Sequence, residues 1–429
     1  MVGKEEARRP VLNLRKQGVK KQNPIRRAGK LATVFRQVCE LIPSHLVPKL
    51  ARECGVDVHA RSFKPWSHVV ALIYAQLSYA LSLNDVCDAL RMFATPLRAI
   101  RGATPPSRNA LSHANKVRDC QMAERLFWTV LEHLQASFRS FGGGPLPRTV
   151  HRFRREIHVV DSTVIRLVMS CLDWAKHRRR KAGVKCHLRM SLRSLLPACA
   201  VIDCASEHDS VQAFRVCAGL HEGEIVIFDK AYLHFALLHD LNERGVFFVT
   251  RAREDQAYEA CKRLPKGADC RVVSDEIINL SVARSAKQYP ETLRRVVAVV
   301  EIKGEQRELV FLTNNFTWSA GTIADLYRCR WQIETFFKQI KQSLQLADFL
   351  GHNANAVHWQ IWTALLVHLL LRFLAWRSRW HHAFSRLFTA TRAALWLPKQ
   401  LDRWLRSYGT AAGDFAAQHP PIQRVLPGF

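Results

Sequence analysis

Tyr327-Arg-Cys-Arg330-Trp-Gln-Ile-Glu334-Thr-Phe-Phe-Lys338-Gln-Ile-Lys341 carries the strongest signal in the chain. At about 100° per residue, with Tyr327 at zero, Arg330 falls at about −60°, Glu334 at about −20°, Lys338 at about +20° and Lys341 at about −40°. A phenol, an acid and three cations thus share one face of a helix predicted over 322–346. Beside them Leu326, Ile333, Phe337, Ile340 and Leu344 form an apolar stripe that would dock this helix on a sheet. Thr322 with Asp325 reads as its capping box. The same spacing also makes Arg330–Glu334 and Glu334–Lys338 ordinary (i, i+4) ion pairs on a solvated face. The choice between the two depends on the rest of the chain.

Upstream, the polarity pattern is that of strands. Ile157-His-Val-Val160 is apolar and β-branched, Val184 to Met190 alternates, and Leu196 to Ile202 is an apolar run. These read as successive antiparallel strands. Ile225-Val-Ile-Phe228 and Val246-Phe-Phe-Val249 are two more, separated by a helical stretch from His234 to Asn242 that Gly245 ends. Further strands, notably Val296 to Ile302 and Glu308 to Leu312, lie within 252–318. The expectation is a mixed α/β layer.

Two aspartates stand where an apolar strand meets a polar segment: Asp161, before Ser162 and Thr163, and Asp229, before Lys230-Ala-Tyr232. An aspartate there is often only a turn residue or helix cap. With Glu334, however, there are three acids on separate elements, which is what an oxygen-loving cation such as Mg²⁺ requires. The surrounding Arg and Lys suit a phosphodiester. Asp203, Glu207 and Asp209 follow another apolar run and compete with Asp229 for the second position.

The charge balance points the same way. With 64 Lys and Arg against 36 Asp and Glu, the net charge is +28. Such a chain attracts polyanions, nucleic acid first and an anionic membrane surface second. Hydrolases of neutral substrates, such as glycosidases with paired carboxylates, fit this charge poorly. The twelve cysteines include no CxxC pair, so they read as reduced residues rather than zinc ligands. The first thirty residues lack an apolar run, so no secretory signal is read there, and a cytoplasmic, nucleoid-associated protein is expected. Ile361 to Leu371, broken by His368, is too short to span a bilayer and reads as a core helix.

The expected organisation has six parts. Residues 1–30 form a basic flexible arm and 31–140 a helical DNA-binding domain. The stretch Phe141-Gly-Gly-Gly-Pro-Leu-Pro147 is a linker. Residues 150–251 and 319–375 form the two parts of a core, 252–318 a β-rich insertion between them, and 376–429 a helical C-terminal region. Asn84, and Ser112 or Asn115, are placed near helix starts.

Tyr327-x2-Arg330-x3-Glu334-x6-Lys341 resembles the Tyr-Arg-Glu-Lys signature of the IS-four family of bacterial insertion-sequence transposases. Asp161-Ser-Thr163 is similar to that family's first acidic motif and Phe228-Asp-Lys-Ala-Tyr232 to its second. Phe248-Val-Thr-Arg251 and Leu312-Thr-Asn-Asn315 resemble flanking segments, and Ser107 to Asn115 a segment of the N-terminal domains. The likeness covers roughly residues 60 to 375 in the expected order. It implies an RNase H-like core, with Asp161, Asp229 and Glu334 as catalytic residues and metal ligands. Two Mg²⁺ or Mn²⁺ ions, about 3.5–4 Å apart, would bridge the scissile phosphate. It also implies terminal inverted repeats as substrate, cleavage followed by strand transfer, and a homodimer assembled on double-stranded DNA. Tyr327, Arg330, Lys338 and Lys341 would contact phosphates near the cut. The basic run Arg178, Arg179, Arg180 and Lys181, with Lys185, would track the DNA backbone. Trp318 is read as a base-stacking candidate or a hydrophobic anchor. Two alternatives stay open: another RNase H-like nuclease, which cuts without joining, and a non-catalytic DNA-binding relic.

Overall fold

The computed structural model describes residues 31–56, 58, 60, 62–142, 151–168, 171, 173–178, 181–206, 208–254, 256–265, 269–302, 304–343 and 349–408. The arm 1–30, most of the expected linker and the end of the C-terminal region lie outside these residues.

Among the described residues these helices precede the sheet: α1 (Val34–Cys39), α2 (Leu46–Glu53), α3 (Pro65–Ser78), α4 (Leu83–Met92), α5 (Ala94–Arg98), α6 (Arg108–Val117) and α7 (Gln121–Ser137). Their starts differ from the expected ones. Ser82, not Asn84, caps α4, in a reciprocal box with Asp85, and Ser107 caps α6, leaving Ser112 and Asn115 inside the helix. In both cases the true cap is the serine whose hydroxyl reaches the amide three residues on.

The strands are β1 (Ile157–Leu167), β2 (Lys176–Arg178), β3 (Lys181–Ser191), β4 (Pro197–Cys204), β5 (Ile225–Phe228), β6 (Phe247–Arg251), β7 (Tyr258–Arg263), β8 (Val272–Leu280), β9 (Leu293–Ile302) and β10 (Glu305–Thr313). Helix α8 (Asp209–Cys217) joins β4 to β5, α9 (Phe235–Glu243) joins β5 to β6, and α10 (Ala283–Gln288) joins β8 to β9. One half of the sheet runs β4-β3-β1-β5-β6, with β3 antiparallel to β1, to β4 and to the short β2, and β1, β5 and β6 mutually parallel. Three antiparallel strands followed by two parallel ones, with helical crossovers, is the RNase H-like arrangement. Strands β7 to β10 are not a separate layer. Strand β10 pairs with β6, and the meander β10-β9-β8-β7 continues the same sheet to ten strands.

Alternation sorts the central strands between two cores. Ile157 and Val159, like Ile225 and Ile227, face the core shared with the later and N-terminal helices. Val160, Val226 and Phe228 face the core built with α8 and α9. A strand buried on both faces reads as an unbroken apolar run, as these do.

Beyond the sheet lie α11 (Ala320–Arg328), α12 (Trp331–Ser343), α13 (Ala354–Arg377), α14 (Phe384–Ala393) and α15 (Leu401–Arg406). The helix expected over 322–346 is therefore two helices, and Leu344 lies outside the described residues. Ser319, not Thr322, caps the first, and Asp325 pairs with Arg271 instead. Helix α13 is apolar and long enough to cross a membrane by composition, but most of its residues are buried inside the protein. It packs on the N-terminal helices: Trp359 Nε1 donates to Arg118 O at 2.7 Å and Asn355 Nδ2 to Asn115 O at 2.9 Å. The residues after α14 pair with the first helix, where Phe35 N donates to Leu395 O at 2.8 Å.

Candidate active site

Strand β1 runs on past Val160 to Leu167, so Asp161 lies within a strand, paired with Leu188 of β3, rather than at its end. The β-branched residues Thr163, Val164 and Ile165 sustain the ladder. What ends at Val160 is the parallel pairing with β5, whose last pair is Val160–Phe228. Asp161 and Asp229 are each one residue beyond that pair. They stand side by side where two parallel strands part, the usual place for ligands on such sheets. Alternation puts both on the face that α11 and α12 cover, since they continue Ile157-Val159 and Ile225-Ile227.

The third acid arrives with the helices. Bonds from Cys329 N to Leu326 O, Arg330 N to Tyr327 O and Ile333 N to Arg330 O, all of i to i+3 type, tighten the chain between α11 and α12. This junction turns Arg330 inward. Its Nη1 donates to Asp161 Oδ2 at 2.9 Å and its Nη2 to Glu334 Oε1 at 2.6 Å. Tyr327 Oη donates to Asp229 Oδ1 at 3.2 Å, and Phe311 packs against the Tyr327 ring. Asp161 and Asp229 also accept from the next backbone amides, Ser162 N at 2.8 Å and Lys230 N at 2.7 Å.

The electrostatics follow from burial. Burial pushes the Asp161 carboxyl up to about 6; Arg330 opposes this, while Asp229 and Glu334 add to it. The three acids thus concentrate negative charge that one guanidinium offsets only in part. Burial alone would lower the pKa of Arg330, but Tyr327, Asp161, Glu334 and Asp229 outweigh it and raise it. The Arg330 Nε is buried with no hydrogen-bond partner among the described residues. Three carboxylates offering only oxygen fit a hard divalent cation.

Other expected residues fall as follows. Lys338 and Lys341 are exposed on α12. Burial of its stem and the nearby Arg166 hold the Lys341 ammonium below the usual lysine range. Lys185 points inward: its Nζ lies 3.1 Å from Asp209 Oδ1. Arg179 and Arg180 lie outside the described residues. Arg178 and Lys181 are placed by their backbone, paired across the β2–β3 hairpin. Trp318 packs edge-on against Phe153 and tilted against Phe247, as an anchor would. Of the rival acids, Asp203 is held by Arg215 and Gln212, Asp209 by Ser162 and Lys185, and Glu207 lies outside the described residues.

One group of residues behind the acids was not anticipated. On the opposite face of β1 and β3, His187 Nδ1 lies 2.7 Å from Tyr232 Oη, and Ser162 Oγ donates to Asp209 Oδ1 at 3.2 Å. The bonds tie β1, β3, α8 and the turn after Asp229 together. The only sequence signal was Lys185 and His187 at alternate positions of a strand, polar side chains on a face that proves to be buried.

Residues 152–370 match the family described as the transposase DDE domain, and residues 30–100 match a domain of unknown function, DUF4372. A putative transposase, y4zB, of Sinorhizobium fredii is 30% identical over 278 residues, covering 64% of this chain and 73% of that one. The probable transposase for insertion sequence element IS5377 of Geobacillus stearothermophilus is 31% identical over 227 residues, 52% of this chain and 58% of that one. Transposase InsG for insertion sequence element IS4 of Escherichia coli is 24% identical over 199 residues, 44% and 43% of the two chains.

Proposed function

The chain belongs to the IS4-family DDE transposases, and from that membership we propose that Asp161, Asp229 and Glu334 are the acids with which it cuts and rejoins DNA. DDE transposases are metal-dependent enzymes. The observation that carries the reading is that Arg330 binds Asp161 of β1 and Glu334 of α12 while Tyr327 binds Asp229 at the end of β5, so that the charges of the three acids act on one another.

Asp161, Asp229 and Glu334 would hold the Mg²⁺ or Mn²⁺ ions through their carboxylate oxygens. When bound, the ions supply charge stabilisation at the phosphate and a water acidic enough to attack it. The protein's own part is position and charge. Tyr327 orients the Asp229 carboxyl through its hydroxyl. Arg330 neutralises two acids in the free protein, and its guanidinium has the fork geometry that phosphate oxygens accept. Lys338 and Lys341, exposed along α12, extend the cationic surface away from the acids for the flanking phosphates.

The substrate is double-stranded DNA at the terminal inverted repeats. The helical residues 31–140 bind the repeats, and Arg178 to Lys181 contact the backbone. Two copies assemble on DNA, because two ends must be joined in one event. Cut-and-paste chemistry then proceeds by cleavage at the end and attack of the freed 3′-OH on a target strand.

Strand transfer is the discriminating test. Purified protein is mixed with a precleaved end of its own element, supercoiled plasmid and Mg²⁺. Joined products support a transposase acting in this way. Nicking of uncleaved ends with no joining favours a nuclease that only cuts, and binding without either reaction favours a DNA-binding relic.

A further inference from the structure

A cleft of about 380 Å³ opens where the end of α13 faces the turn between β3 and β4. It is not part of the acid site. Leu192 N donates to Ile157 O, so the turn sits at the start of β1, about 13 Å of strand or more from Asp161.

Its lining has an unusual composition. Trp376 and Trp380 line it with indoles held on one side by Phe373 and Tyr408, and Arg372 and Arg379 line it as well. Neither guanidinium makes a hydrogen bond or ion pair among the described residues. Arg379 is exposed, but Arg372 is partly buried, and burial lowers its pKa. A desolvated cation without a countercharge is costly, and structures normally pair it.

The backbone gives a second observation. Among the described residues four non-glycine positions have positive φ, and two of them line this cleft: Leu195 at 53° and Arg379 at 54°. Arg379 is the left-handed residue that closes α13, where Trp380 N bonds Ala375 O at 2.8 Å. Glycine is the favoured residue at such a position. An arginine stands there at a conformational cost, at the rim of the cleft.

We propose that this cleft is a second nucleotide-binding site, which takes a phosphate on Arg372 and Arg379 and a base against Trp376 or Trp380. The volume lies within the range of small-molecule sites and suits a single nucleotide. Paired cations beside indole faces are the chemistry of single-stranded nucleic-acid binding, where phosphates meet charge and bases stack. The nucleotide can come from an unpaired stretch of DNA or from free nucleotide in solution.

The test uses the full-length protein in EDTA, so that the acid site holds no metal and contributes no metal–phosphate binding. dAMP and inorganic phosphate are titrated by calorimetry into wild type, Arg372→Gln and Arg379→Gly. One saturable dAMP site is expected, weakened at least tenfold in each variant. Arg379→Gly is expected to unfold at the same temperature as wild type or higher, because glycine relieves the left-handed backbone. Loss of dAMP binding in a variant of undiminished stability separates ligand contact from a structural role. Absence of saturable dAMP binding to wild type, unchanged affinity in both variants, or phosphate binding as tightly as dAMP overturns the proposal. A single-stranded oligonucleotide carrying 5-iodouracil identifies the source. Photo-cross-links to Trp376 or Trp380 assign the site to a DNA strand, and dAMP binding without cross-links assigns it to free nucleotide.

Discussion

Arg330 and Asp161, 169 residues apart in sequence, meet at 2.9 Å, and the contact fastens the start of α12 to the middle of β1. The same guanidinium holds Glu334. Both side chains of the Arg330–Asp161 pair are mostly buried, at 13% and 19% exposure. In the metal-free protein Arg330 is therefore the countercharge of the acid cluster.

Removing that countercharge should cost stability in a way that metal repairs. Arg330→Ala leaves buried acids without a partner, a change that typically costs about 3–5 kcal/mol. The thermal midpoint in EDTA should fall markedly. Mg²⁺ should then raise the midpoint of the variant more than that of wild type. Equal Mg²⁺ shifts in the two proteins would show that Arg330 is not what balances the acids.

Tyr327→Phe removes one hydroxyl from a ring that stays packed against Phe311. Stability should change by about 0.5–1.5 kcal/mol, the net worth of one hydrogen bond. Cleavage should slow by about tenfold or more, equivalent to about 1.4 kcal/mol in the barrier, because Asp229 loses its orienting donor. A cleavage rate equal to wild type would remove Tyr327 from the positioning scheme.

The fold should weaken in acid through four buried histidines, one of which, His368, burial and the nearby Arg372 hold well below the usual imidazole range. Burial, with Arg118, lowers His68 to about 3. Burial, with Arg189, lowers His158 to about 4, and burial lowers His187 to about 4 with Asp209 opposing. Each group has a folded pKa below its unfolded 6.5, so the unfolded chain takes up protons first. Their contribution is complete above pH 6.5 and is lost as pH falls towards 4, and towards 3 for His68. Asp161 acts in the opposite sense, since its folded value of about 6 lies above 3.8, and burial raises Glu124 too, but these are two carboxyls against four histidines. The urea midpoint without divalent metal should be lower at pH 5 than at pH 7.5. An unchanged midpoint would contradict this.

The contact behind the acids gives a further expectation. Tyr232→Phe deprives the fully buried His187 of its hydrogen bond at Nδ1, leaving Asp209 Oδ1 at 3.6 Å as the nearest charged group. The cost should be about 1–3 kcal/mol, as for an unsatisfied buried group, measured by chemical denaturation. A fully neutral substitution would show that water replaces the hydroxyl there.

Much of the site was legible because its residues obey local rules. The apolar runs Ile157–Val160 and Ile225–Phe228 marked the two central strands, and the acids that follow them proved to be register neighbours. The Tyr-Arg-Glu spacing marked the third element. What could not be read was geometry set by tertiary contacts. A helical wheel assumes one continuous helix, whereas the i to i+3 bonds at Cys329 and Arg330 break it and turn Arg330 towards Asp161. The partner strand β3 was read from its alternation, but the polar Asp161-Ser162 breaks the apolar run, so the continuation of β1 to Leu167 along β3 was not. Lys185 looked like a DNA contact from charge alone, yet Asp209, 24 residues later, draws it inward. Helix α13 was readable as a core helix, but not its docking on α3 and α7, which depends on residues more than two hundred positions away.

The most direct test of the acid site is cleavage of a duplex carrying the terminal repeats, in Mg²⁺ and in EDTA, by wild type and by Asp161→Asn, Asp229→Asn and Glu334→Gln. These substitutions keep shape and remove one charge each. The account predicts metal-dependent cleavage at the repeat boundary by wild type, a loss of about a thousandfold or more in every variant, and DNA binding retained in all three. Near-normal cleavage by any one of the variants, or cleavage by wild type in EDTA, would contradict it.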